Sequence, residues 1–365
     1  STVGKPIVAV TTVMLPANAR PKALLSYQIA EDAAAPQCAP SYELRLASPR
    51  TALVNDAEVL LIDAAVGAGF AVSVPDYEGV PGNFGAAKQP GYIILDGLRA
   101  AEHFAPLHLS GGATRAGVWG YSGGSLASGW AAQVQRRYAP RLHVEGIAVG
   151  GFATDIPGAL LKINGGPASG LIASVLPGVM RAAPALAALL RPEMTAAGKQ
   201  LLAHAATQCE VENVSQYPFV NFDRYLKHPI EALLSRPAFR NQIDRLNLGG
   251  SAPTAPMFVY HAVNDELIPV AGPDAIVRSY CARGTSVEYT RDEISEHGSL
   301  AVVGAAAALD WLSTRTIGRV SQRGCTTTTV PTMAASGPAL STWPGVVQSI
   351  LLALAGLPVG GAATG

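Results

Sequence analysis

Apolar residues in roughly the first 150 positions fall into short blocks, and their spacing switches between a period of two and a period near 3.6. Residues 7–14 and 23–28 alternate or run apolar, and Pro16-Ala-Asn-Ala-Arg-Pro21 lies between them; the pattern predicts two strands and a turn. Over residues 55–66 the period lengthens. Apolar Val59, Leu60, Ile62 and Val66 are interspersed with polar Asp56, Glu58 and Asp63 at helical spacing, which predicts a helix stopped by Gly67-Ala-Gly69. Residues 70–75 predict a buried strand ending in Asp76-Tyr-Glu-Gly79, and a helix carrying Ile93, Ile94, Leu98 and Ala101 follows Pro90-Gly-Tyr92. A strand from Arg115, a tight turn, a helix and a strand over residues 144–149 complete the series. Strands alternating with helices at this rhythm predict βαβ units in a mostly parallel sheet.

The alternation then lapses. From residue 155 to about 248 no strand is predicted, and between residues 156 and 190 the only charges are Lys162 and Arg181. Pro157, Pro167, Pro177 and Pro184 cut this stretch into short helices. Such an apolar helical segment either packs in a core or covers an apolar pocket. Its place directly after the strand over residues 144–149, which follows the tight turn, favours a cap, because ligands of open α/β sheets bind at the strand C-terminal ends. Residues 256–261 resume the strands, a helix covers 273–281, residues 286–290 read as the last strand and 298–313 as the last long helix. Past Cys325 the chain turns Thr-, Pro- and Gly-rich, with a short apolar helix over 346–357. The expected organisation is an α/β core in two parts, residues 1–154 and 249–325, a cap of residues 155–248 inserted between them, and a C-terminal extension of residues 326–365 that is a candidate flap.

Composition narrows the partners. Lys plus Arg and Asp plus Glu each number 26, so the formal net charge is zero, and no basic run is present. That argues against nucleic acid and against a polybasic membrane anchor, and leaves any lipid contact apolar. The C-terminal apolar run over 346–359 is too short for the roughly 20 residues of a transmembrane helix. The start, Ser1-Thr-Val-Gly-Lys5, lacks the basic and apolar regions of a signal peptide and reads as a processed N-terminus. The four cysteines, Cys38, Cys209, Cys281 and Cys325, form no C-x-x-C pair, so a zinc or redox site is not expected. They are either free and buried or paired in one of three ways. No cofactor is expected.

The chemistry centres on Gly120-Tyr-Ser-Gly-Gly124. A serine forced into a strand-to-helix turn crowds the residues two before and two after it, and here both are glycine. Such a turn lifts the Ser122 hydroxyl clear of the sheet, with free N–H groups of a helix N-terminus behind it. A serine nucleophile needs a base, and the base needs an orienting carboxylate. In α/β-hydrolases these follow in the order acid, then histidine, on loops after late strands. His103, His108 and His143 precede or open strands, His204 and His228 fall in the cap, and His261 ends a strand. His297, in Ser295-Glu-His-Gly298, follows the last predicted strand and is the expected base. Asp265 is the expected acid, with Glu266 and Asp274 as rivals. The oxyanion donors are expected to be the N–H of Gly123 and, from the exit of an earlier strand, that of Asp76.

Seven ordered motifs now resemble a known family. Leu25-Ser-Tyr-Gln28, Cys38-Ala-Pro-Ser41, Pro75-Asp-Tyr-Glu-Gly79, Ile94-Leu-Asp-Gly-Leu-Arg99, the Ser122 turn, His261-Ala-Val-Asn-Asp-Glu-Leu-Ile-Pro269 and Glu296-His297 are similar to those of the secretory lipases. The resemblance implies an α/β-hydrolase fold with a helical cap, secretion, and hydrolysis of small-molecule or lipid esters, with the cap a candidate contact for a lipid–water interface. Within the resemblance, Ser122, Asp265 and His297 take the triad positions, Asp76 and Gly123 the oxyanion positions, and the bridges fall on Cys38–Cys209 and Cys281–Cys325. The N-terminal strands look shortened and the cap is the least similar region, so substrate preference does not carry over.

Overall fold

The structure is a computed structural model and describes residues 6–46, 52–318 and 323–360. Its strands are β1 (Thr11–Met14), β2 (Ala23–Gln28), β3 (Phe70–Pro75), β4 (Arg115–Tyr121), β5 (His143–Gly150), β6 (Met257–Ala262), β7 (Val287–Asp292) and β8 (Cys325–Val330). They form one sheet in the order β1-β3-β2-β4-β5-β6-β7-β8. Only the β1–β3 pair is antiparallel.

The period-two pattern sorts side chains to two faces. Leu25 and Tyr27 of β2, Trp119 and Tyr121 of β4, and Phe258 and Tyr260 of β6 enter one apolar cluster. Leu24, Val118 and Val259 enter the other. Helices α1 (Pro40–Leu46), α2 (Ala52–Gly67), α3 (Gln89–Glu102) and α4 (Gly123–Tyr138) occupy the first half of the core. Leu98 of α3 and Ala131 of α4 cover one face, while Ile62 of α2 covers the other. Burying large apolar side chains on both faces, at about 1.5–3 kcal/mol each, is what holds such a three-layer stack. The mostly parallel α/β sheet expected from the alternation is therefore present, in the α/β-hydrolase arrangement that the resemblance implied.

Seven α-helices intervene between β5 and β6: α5 (Ile156–Ile163), α6 (Gly170–Ala182), α7 (Pro184–Leu190), α8 (Ala196–Ala205), α9 (Glu210–Gln216), α10 (Ile230–Ser235) and α11 (Pro237–Ile243). They have an apolar cluster of their own around Ile172, Leu190, Leu202, Phe222 and Phe239. The insertion is fastened to core loops by the Cys38–Cys209 disulfide and by a Ser174 hydroxyl that donates to the Asp32 carbonyl at 2.6 Å. The two charges of its apolar stretch are spent the same way. Lys162 donates to the carbonyl of Asp265, and Arg181 to those of Ala34 and Pro81. Both cysteine pairings are those the resemblance implied.

The last part of the core carries α12 (Ala271–Ala282), α13 (His297–Val303), α14 (Ala305–Thr316) and α15 (Gly337–Leu354). The threonine-rich segment Cys325–Val330, not residues 286–290, is the last strand, and it pairs with β7. An exposed edge strand needs β-branched residues but no apolar alternation, which is why the pattern missed it. The chain beyond Cys325 is also not set apart as an extension. Met333, Ala339 and Val346 belong to the same cluster as α2 and α14. The terminal helix begins nine residues earlier than expected, at Gly337 instead of 346, and runs through Pro344.

Candidate active site

The turn between β4 and α4 has the geometry its glycines suggested. Ser122 sits at φ 51 and ψ −122, a left-handed conformation that costs a residue with a Cβ roughly 1–3 kcal/mol. A Cβ on Gly120 would lie 2.3 Å from the Gly124 carbonyl oxygen, and one on Gly124 would lie 2.0 Å from that of Gln28. No side chain fits either place. The Ser122 N–H donates to Gly150 O at 3.0 Å, fastening the turn to the end of β5.

Because β6 and β7 are neighbours, the loops that follow them meet at the same sheet edge. Asp265 comes from the first and His297, the first residue of α13, from the second. His297 Nε2 is 2.9 Å from Ser122 Oγ, and its Nδ1 is 2.8 Å from Asp265 Oδ2. Asp265 Oδ1 accepts the N–H groups of Leu267 (2.9 Å) and Ile268 (2.7 Å), so its loop is wound around the carboxylate. Burial alone pushes this carboxyl up, but the bond to His297, the charges of His297 and His261 and the Ile268 N–H outweigh it and hold it below its ordinary value. The three residues expected as a triad are brought together. The rivals divide: Asp274 pairs with Arg291 and Tyr289, while Glu266 reaches the backbone N–H of His297 at 2.7 Å.

His261 lies 3.6 Å from Asp265 Oδ2 without bonding to it. Its Nδ1 accepts from the Phe152 N–H at 3.0 Å, which assigns the proton to Nε2, facing the Ile268 carbonyl at 3.1 Å. Burial lowers its pKa, so the neutral ring shapes the acid loop.

Of the two expected oxyanion donors, Gly123 stands at the first position of α4, beside Ser122. Asp76 does not serve. Its N–H is donated to Val10 O at 2.9 Å, and its carboxylate accepts from the Ser41 N–H (2.8 Å) and hydroxyl (2.6 Å). The strand order explains the miss. Asp76 ends β3, one strand removed, whereas the order reverses between β2 and β4, and a crevice forms at such a switch point. The loop after β2 carries Asp32, at φ 37, with a carboxylate that packs on the nucleophile turn. A Cβ on Gly123 would fall 1.7 Å from Asp32 Oδ1. That oxygen is buried and has no hydrogen-bond partner among the described residues. Burial raises the Asp32 carboxyl to about 6, against the opposing charge of His297. Glu31 and Glu78, also buried, are raised as well, first by burial, then Glu31 by the charges of Asp76, Glu43 and Asp32 and Glu78 by those of Glu31 and Asp32. The visible signal for Asp32 was a pair of acids, Glu31-Asp32, in the loop that follows a strand free of charge.

An apolar cavity of about 140 Å³ lies between the insertion and the core. From the core it is lined by Phe84, Gly85 and Leu126, the last one turn into α4, and otherwise by insertion residues such as Ile156, Val175, Val179, Leu202 and Phe239. A second cavity of about 10 Å³ shares Phe84, Gly85 and Leu126 with it and reaches Gly123. The apolar space thus leads toward the serine. No helix among the described residues is long and apolar enough to cross a membrane.

A parallel sheet with an elbow after its central strand, and a helical insertion over the strand ends, defines an α/β-hydrolase. A secretory lipase family model matches residues 44–324. Lipase A of Arthroderma benhamiae is 34% identical over 364 residues, covering 98% of this chain and 78% of its own. A Mycobacterium tuberculosis protein named as a probable inactive lipase is 39% identical over 333 residues, 90% of this chain and 74% of its own. The X-ray structure of Candida antarctica lipase A superposes with a TM-score of 0.84 at 26% identity, covering 96% of this chain and 83% of that one. The chain belongs to the secretory lipase family and is a hydrolase of lipase type.

Proposed function

We propose that this protein is a secreted serine ester hydrolase that cleaves lipid esters through an acyl-enzyme. One observation carries the reading: the unbroken line from Ser122 Oγ to His297 Nε2 (2.9 Å) and from His297 Nδ1 to Asp265 Oδ2 (2.8 Å). His297 takes the Ser122 proton as Oγ attacks the ester carbonyl, and Asp265 stabilises the imidazolium that results. The N–H of Gly123 and the protonated carboxyl of Asp32 receive the developing oxyanion. Collapse of the tetrahedral intermediate releases the alcohol, which takes its proton from His297, and water then cleaves the acyl-enzyme by the same route.

Residues 155–248 act as a cap whose 140 Å³ apolar cavity takes the acyl chain. Lys162, Ser174 and Arg181 dock that cap on the Asp265 and Asp32 loops. Two disulfides and membership of a secretory family support an extracellular site of action.

A catalytically silent lipid-binding protein is the rival, given the relative named as a probable inactive lipase. A fluorophosphonate probe with p-nitrophenyl butyrate turnover separates the two. The hydrolase labels at Ser122 and loses both labelling and turnover in Ser122→Ala. Folded wild-type protein that neither labels nor turns over would establish the silent reading. A preference for acetate over longer acyl groups would instead favour an acetyl-ester, polyester or amide hydrolase using the same residues.

A further inference from the structure

The ring of His297 has its two partners, but the ring is placed by a backbone that is itself held at two points. Tyr121, the last residue of β4, donates its phenol to the His297 carbonyl at 2.6 Å. On the other side, the His297 N–H donates to Glu266 Oε2 at 2.7 Å. That N–H is one of the donors at the start of α13 that the helix itself cannot satisfy, and a carboxylate is favoured there by the helix dipole.

Glu266 is the chain neighbour of Asp265. Consecutive carboxylates of one loop therefore grip a single residue, Asp265 by the imidazole and Glu266 by the main chain. The loop in turn is closed around Asp265 Oδ1 by the Leu267 and Ile268 N–H groups. A shift of the loop relative to α13 would have to break both grips together.

We propose that Glu266 is a positioning residue: its carboxylate locks the acid loop to the N-terminus of α13 and so sets the distance between the His297 ring and Asp265 and Ser122. The assignment rests on the serine-hydrolase reading above. Glu266 is bonded to the His297 main chain, not to the serine or the imidazole, and carries no proton in the reaction. Without it the N–H of His297 turns to water, and the His297 main chain keeps only the Tyr121 bond on its carbonyl.

The test compares Glu266→Ala, Glu266→Asp, Glu266→Gln and, as a control for surface charge, Glu293→Ala. Each is assayed with p-nitrophenyl butyrate, with active sites counted by fluorophosphonate titration so that misfolded protein does not enter the rate. Misplacing a catalytic group by about 1 Å costs about 100-fold. Accordingly kcat per titrated site falls about 10- to 100-fold in Glu266→Ala, with KM within about twofold. Glutamine keeps an oxygen acceptor at the same reach, so Glu266→Gln stays within about threefold of wild type. Aspartate is one methylene too short and follows alanine, while Glu293→Ala behaves as wild type.

Wild-type kcat per site in Glu266→Ala would overturn the assignment. Equal loss in the glutamine and alanine variants would overturn it too, because charge and not the bond would then matter. Those outcomes concern Glu266 alone, since they require a wild type that labels and turns over. A wild type that does neither overturns the hydrolase reading and this assignment with it.

Discussion

The apolar cavity makes a quantitative prediction about acyl-chain length. Its volume is about 140 Å³, and by the same measure a single water needs about 10–15 Å³, so it holds on the order of ten water-sized groups. A chain methylene needs roughly the room of a water, so the gain should level off at on the order of ten acyl carbons. Each methylene moved from water into this lining is worth about 0.8 kcal/mol, about a fourfold gain in kcat/KM. From acetyl to octanoyl the six added methylenes total about 5 kcal/mol, an upper bound near 3,000-fold before the cost of ordering the chain.

The perturbation is Val175→Trp. Val175 lies on α6, lines the cavity and packs against the cluster of Phe84, Leu126 and Trp130, so a large ring there fills the part of the cavity next to α4. A p-nitrophenyl ester series from C2 to C16, kept below solubility limits, is the assay. Wild-type kcat/KM should climb from C2 through C8 and level off by about C10. In Val175→Trp the climb should end by about C4, with acetate turnover within about twofold. Overpacking costs about 1–3 kcal/mol, so unfolding midpoints are measured alongside. A flat wild-type series, or an unchanged C8-to-C2 ratio in a folded Val175→Trp enzyme, would refute the assignment of the cavity to the acyl chain.

Two further outcomes test the buried carboxylates. If the protonated Asp32 carboxyl donates to the oxyanion, Asp32→Ala lowers kcat about 10²–10³-fold, as loss of one such donor does. Asn donates at every pH, whereas Asp32 loses its proton through about pH 6, so the Asp32→Asn to wild-type kcat ratio should rise between pH 5 and 8. A constant ratio would count against the role. Glu58 accepts from the Ala30 N–H (2.7 Å) and the Tyr27 hydroxyl (3.1 Å), and burial lifts it from 4.5 to about 8. The folded state therefore keeps a proton that the unfolded chain sheds. The resulting stability is complete below about pH 4.5 and lost as pH rises through 8, about 5 kcal/mol in all. Urea unfolding across this range should show a shallower decline for Glu58→Gln, and parallel curves would refute the linkage.

Much of this site was legible because its rules are local. The two glycines around Ser122 report a clash within five residues, and the structure shows the atoms that would clash, the Gly124 and Gln28 carbonyls. Asp265 and His297 could be placed by their positions after successive strands, since adjacent parallel strands bring their following loops together. The edge strand β8 was not legible, because threonines exposed to solvent carry no apolar alternation. Glu266 was visible only as a rival acid, since nothing in the sequence distinguishes a carboxylate that meets an imidazole from one that meets the main chain beside it.

What the sequence determined by itself is the kind of chemistry and the folding rhythm: a strained serine turn, an acid and a histidine in order, and strands alternating with helices around an apolar insertion. Those follow from steric and periodic constraints that act over a few residues. Only the tertiary structure decided which acidic loop faces the serine. Asp76 and Asp32 both follow buried parallel strands and look alike in sequence, but β2 lies beside β4 and β3 does not. Strand order is set by packing of the whole sheet, so the neighbour of Gly123 is a global property, and it is Asp32.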